Sequence, residues 1–211
     1  MFRNFFRSDS ALMITMSQIT DCIFLSLFWL LGCFPIVTAG ASFAALYDAT
    51  YRGLRKHDKH SWSRFLHVFK ENRKAGILPT VVFAAVFFLD LYLVIQVWNG
   101  AVTGSISWAI FAAAALVGVM ILGTLSILFP MLSRFRNSLA GMLKNTVLLA
   151  LMNAPGTLAL GILNAASVFL CVRYVFPVFF LPSLSALIGS LFIEPMFKPY
   201  MPEEPVEEAA E

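Results

Sequence analysis

From residue 77 to residue 132 the chain carries a single charged side chain, Asp90. A run that long, apolar on all faces, has no soluble arrangement that hides it, so it must form helices surrounded by other helices or by lipid. The sequence Trp98-Asn99-Gly100 with Gly104-Ser105 marks an uncharged turn that divides the run into helices over 77–98 and 107–132. Each exceeds the roughly 20 residues that a bilayer crossing needs, and Trp98 and Trp108 sit where interfacial anchors belong. The rest of the chain agrees: 59% of residues are hydrophobic and 13% charged, with a mean hydropathy of +0.80. The expected class is an all-α, polytopic transmembrane bundle.

Charge orients the bundle. Eight bases fall in the loop over 52–74 against Asp58 and Glu71, and Arg134, Arg136 and Lys144 form a second basic segment. Both are expected on the cytoplasmic side. The pattern predicts six helices, over 10–34, 38–52, 77–98, 107–132, 145–171 and 174–195, with both termini cytoplasmic. It predicts five if the second, only about 22 Å long, is not a full crossing. Six places fourteen of the fifteen Lys and Arg residues inside, with Arg173 outside. Residues 1–200 read as one transmembrane domain, and the acidic, Pro-containing tail over 201–211 as disordered.

The reversal between the first two helices has its own chemistry. Pro35 lacks a backbone donor, Thr38 is suited to cap a new helix, and Gly40 with Ala41, Ser42, Ala44 and Ala45 gives that helix a small-residue face. In the basic loop Trp62, Phe65, Leu66 and Phe69 recur at helical spacing, so an amphipathic helix is expected on the inner membrane surface. Trp62, Phe65, Arg64, Lys70, Arg73 and Lys74 are its expected contacts with anionic lipid. This interleaving of bases with aromatics argues against nucleic acid. The three histidines, His57, His60 and His67, share that loop without a supporting cysteine, so they read as solvated rather than metal-binding, and no cofactor is expected. Cys22, Cys33 and Cys171 lie in apolar segments and imply no disulfide framework. Asn153-Ala-Pro155-Gly156 interrupts the fifth helix and reads as a kink.

Isolated acids within apolar helices are costly and must face the bundle or a wet cavity. Asp21, Asp48 and Asp90 are therefore the candidates for a proton- or cation-linked polar path, with Arg134 or Arg173 as counter-charges. The competing reading is that Asp90 only specifies packing.

Four segments carry a resemblance: Phe34-Pro-Ile-Val-Thr-Ala-Gly40 followed by Ala44-Ala-Leu-Tyr47; Phe65-x3-Phe-Lys-x-Asn72; Pro130-x3-Arg134-Phe135 leading to Lys144-Asn145; and Phe197-Lys-Pro-Tyr200. Over nearly its whole length the chain resembles the YesL-like bacterial membrane proteins, departing at Ala39, where that family tends to have Ile. Pro35, Thr38, Gly40, Asn72, Pro130, Arg134 and Asn145 are the motif residues. The resemblance implies a membrane protein often encoded near carbohydrate uptake or degradation systems, and it supplies no catalytic residues. No phosphate loop, nucleophile elbow or His-Glu zinc motif is present. Two functions are expected to compete: a non-enzymatic accessory or scaffold component, associated with a carbohydrate transporter complex, and a small ion-linked transporter or channel.

Overall fold

The computed structural model describes residues 11–55, 61–104, 107–134 and 139–200, all helical or in short connections. The helices are α1 (Ala11–Cys33), α2 (Ala39–Ala49), α3 (Ser61–Asn72), α4 (Ile77–Val102), α5 (Trp108–Arg134), α6 (Leu139–Met152), α7 (Ala154–Arg173) and α8 (Leu181–Phe197). Four of them, α1, α4, α5 and α7, are long and apolar enough to cross a membrane. Large apolar side chains point outward along them, among them Phe88, Leu89 and Leu93 on α4 and Ile162 and Phe169 on α7, as lipid-facing surfaces require. The expectation of a disordered tail over 201–211, and the N-terminal bases Arg3 and Arg7, fall outside the described residues, as do His57 and His60.

The stretch expected as the second helix is the least lipid-like. α2 has eleven residues, nine of them buried, and is about 16 Å long, half a hydrocarbon core. Its first turn rests on the start of α4: the Gly40 N–H donates to Thr80 Oγ1 at 2.9 Å, and a side chain on Gly76 would meet Ala41 N. Its last turn reaches the end of α5, where Asp48 Oδ1 lies 3.8 Å from Arg134 Nε. Both ends of α2 therefore sit at one end of the α4–α5 hairpin. Thr38 precedes α2 as expected but does not cap it. Its hydroxyl donates backward, to Gly32 O at 2.7 Å and Pro35 O at 2.9 Å, and so ties off the end of α1 instead.

The amphipathic helix is present as α3, but its apolar face covers protein. Phe65 is buried and stacks on Phe28 of α1 at 5.9 Å and on Phe69 at 6.1 Å, in a cluster with Leu25, Ala45 and Ala49. Phe65 is thus corrected from a lipid contact to a core residue. The spacing that marks an amphipathic helix does not distinguish a bilayer from a neighbouring helix. Trp62, Lys70, Arg73 and Lys74 remain exposed, and Asn72 donates to Val68 O within its own helix.

Two close approaches hold the long helices together. α5 and α7 meet through reciprocal glycines, for a Cβ on Gly123 would collide with Thr157 O and one on Gly161 with Val119 O. α1 and α8 are joined by a 2.8 Å hydrogen bond between the buried hydroxyls of Ser26 and Ser183. The break before α7 falls at Asn153, with Pro155 in the first turn that follows. There the Thr157 hydroxyl donates to Ala150 O at 3.0 Å and to Asn153 O at 3.1 Å, satisfying carbonyls at a point where Pro155 brings no N–H.

Candidate functional site

Charge gathers at the end of the bundle where α2, α5 and α8 finish. After Ala49 the chain widens into a π-helical turn, Thr50–Arg55, which carries Tyr51, Arg52 and Arg55 past the end of α2. Asp48, only 2% exposed, is the centre of the cluster. Arg64 Nε of α3 donates to its Oδ2 at 2.6 Å, and Arg52 Nε to its Oδ1 at 3.2 Å. Arg134, in the last turn of α5, donates from Nη2 to Glu194 Oε1 of α8 at 2.7 Å, and the Tyr47 hydroxyl donates to the same oxygen at 2.8 Å. The Arg134 guanidinium lies over the Tyr51 ring, 4.7 Å from its centroid. Its Nε is shielded from solvent and has no hydrogen-bond partner among the described residues, and it faces Asp48 at 3.8 Å. Arg55 donates to the Ser190 carbonyl at 3.2 Å and to its hydroxyl at 3.3 Å, fastening the π-helical turn to α8.

Four helices thus contribute to one network of three guanidinium groups and two carboxylates. Buried charges persist only when paired and hydrogen-bonded, and this arrangement supplies both. Such a network clamps the helix ends.

Above it lies a cavity of about 480 Å³. It extends from Tyr47 and Ile193, beside the ion network, to Cys171, Val172 and Val178 at the other end of the bundle. The wall is apolar apart from a few groups, and Ser126, Ser167 and Asn164 already donate to carbonyls of their own helices. None of Asp21, Asp48 and Asp90 lines it.

The structure therefore separates the three acids. Asp48 joins the ion network. Asp90 packs against α5, where Gly118 leaves the space: a Cβ there would stand 3.1 Å and 3.2 Å from its carboxylate oxygens. Asp21 is half-buried on α1. Of the motif residues, Pro35 is exposed in the turn after α1, Gly40 and Pro130 are buried in helix contacts, Arg134 is in the network, and Asn145 is exposed on α6. Arg64, expected at the lipid surface, pairs with Asp48 and keeps part of its side chain exposed.

Residues 22–93 match the model of a family described as protein of unknown function, DUF624. The match takes in Asp48, Arg52 and Arg64 but stops short of Arg134 and Glu194. No curated protein and no solved structure matches the chain.

Glu194 is the functional residue that sequence reasoning passed over. It is a lone acid in an apolar helix, the same signal that singled out Asp90. Among the described residues no group of three or more His, Cys, Asp or Glu is placed to hold a metal ion. His67 is exposed, 3.9 Å from Glu71.

Proposed function

We propose that this protein is a non-enzymatic, multi-pass component of a bacterial plasma membrane that works by binding, as an accessory or scaffold partner of a carbohydrate uptake system. The observation that carries this reading is the pairing of Asp48 and Glu194 with three arginines, which ties both carboxylates into ion pairs at the helix ends. The apolar wall of the adjacent cavity supports it as well, since a proton or cation route needs polar groups along its length. The YesL-like resemblance supports the carbohydrate context. The alternative, an ion-linked transporter or channel, requires Asp21 or Asp90 to reach a wet path. Purified protein in sealed vesicles is expected to give no proton or cation flux above protein-free vesicles, and Asp90→Asn is expected to change nothing. Flux lost in Asp90→Asn would install the transporter reading.

The ion network marks the cytoplasmic end in this reading, with Arg52, Arg55, Arg64, Lys70, Arg73, Lys74 and Lys198 on the same side. Exposed Lys70, Arg73 and Lys74 there meet anionic lipid. Because α2 keeps both ends at that side, we take five crossings: α1, α4, α5, the α6–α7 pair and α8. Tags at the two termini test this in spheroplasts. Protease is expected to remove the N-terminal tag and spare the C-terminal one, whereas six crossings would protect both.

A further inference from the structure

The cavity has a wall, a length and a setting that together specify an occupant. Leu122, Leu125 and Phe129 of α5, Leu160 and Val168 of α7, and Ile193 of α8 make a surface with almost nothing to bind water. Water does not occupy apolar cavities of this kind, and an empty space of about 480 Å³ would forfeit dispersion contacts along its whole lining. From Leu160 to Val172 the wall runs about 18 Å along α7 at the helical rise, close to the depth of one leaflet of a hydrocarbon core. Its volume lies within the range of about 300–1,000 Å³ typical of binding pockets.

The setting adds the route. Trp29 and Leu30 of α1 and Phe87 of α4 all line the space. Yet α1 packs on α2, α3 and α8, while α4 packs on α5 and α2, and among the described residues the two form no extended contact with each other. α2 bridges the two at the ion-network end, where its Phe43, Leu46 and Tyr47 line the same space. Among the described residues no other α-helix packs extensively on both, so beyond α2 the gap between α1 and α4 borders the bilayer. The molecules at highest concentration there are phospholipids, whose chains match this wall.

We propose that the cavity holds one acyl chain of a membrane phospholipid, inserted between α1 and α4 and ending near Tyr47. Gly189 and Ala186 of α8 make the chain's bed, because a larger residue at either would stand inside the space. Gly189 has the room: a Cβ there meets nothing nearer than Leu160 Cδ2 at 3.4 Å. The inference concerns the cavity alone and holds whether the protein is an accessory component or a transporter.

The test uses the full chain in vesicles of phosphatidylglycerol doped with a phosphatidylglycerol that carries a photoreactive diazirine midway along one chain. After illumination, peptides from the cavity faces of α5, α7 and α8 are expected to carry the lipid adduct. In Gly189→Phe and in Ala186→Phe that adduct is expected to fall about tenfold, the effect of losing the burial of roughly two methylene groups. Labelling at Leu89 and Leu93, on the outer face of α4, is expected to stay constant and so reports that each variant is folded. Adducts confined to the outer faces in the unmodified protein, or cavity adducts unchanged in both variants with α4 labelling intact, would overturn the proposal.

Discussion

Replacing Asp48 by alanine is expected to destabilise the bundle by about 3–5 kcal/mol, the cost of leaving buried charge without its partner. Arg134 is the residue that suffers most. Its side chain is 8% exposed, and without Asp48 the network holds Arg52, Arg64 and Arg134 against Glu194 alone. Arg52 is the internal comparison. Its side chain is 36% exposed, so its bond to Asp48 is screened by solvent, and Arg52→Met is expected to cost about 1 kcal/mol or less. Equilibrium unfolding in mixed micelles distinguishes the two. Equal losses for Asp48→Ala and Arg52→Met would show that the cluster is wet and contributes little. Combining Arg134→Met with Glu194→Gln should recover part of the loss caused by Arg134→Met alone, because the neutral amide no longer needs a guanidinium and still accepts from Tyr47.

The second large effect is expected where α5 and α7 touch. Gly161 lies against the Val119 backbone carbonyl and Gly123 against that of Thr157, so neither neighbour is a flexible side-chain end that can swing away. Gly161→Leu must push the helices apart, and the loss belongs at or above the upper end of the roughly 1–3 kcal/mol of overpacking. Gly189→Ala, whose Cβ enters ordinary contact distance, is expected to stay within about 0.5 kcal/mol. The same unfolding measurement applies. A Gly161→Leu variant as stable as Gly189→Ala would mean that α5 and α7 do not approach this closely.

The helical class, the division of the long apolar run into α4 and α5, the break at Asn153 and the small-residue face of α2 were all legible in the sequence, because hydropathy and Gly, Pro and Asn placement act locally; the end of α4 was not, since the helix runs through Asn99 and Gly100 to Val102. Partners were not. Arg64 belongs to a stripe that reads as a membrane surface, and only the folding of α3 back along α2 brings it to Asp48. Phe65 turns inward for the same reason. Asp21, Asp48 and Asp90 looked alike as lone acids, yet one is held by arginines, one fills the space above Gly118 and one stays on α1. Hydropathy gives each the same cost and is silent on which neighbour meets it. Arg134 was expected as a counter-charge near a helix end and is one; its second carboxylate, Glu194, needed α8 to be placed before it became visible.

The central claim is that the protein works through a partner. The direct measurement is gentle solubilisation of native membranes after chemical cross-linking, followed by purification through a C-terminal tag and quantitative mass spectrometry. The account predicts a subunit of a carbohydrate uptake system at a fixed stoichiometry, retained in Asp90→Asn. Protein recovered alone from cross-linked membranes, together with Asp90-dependent movement of solute in vesicles, would contradict it.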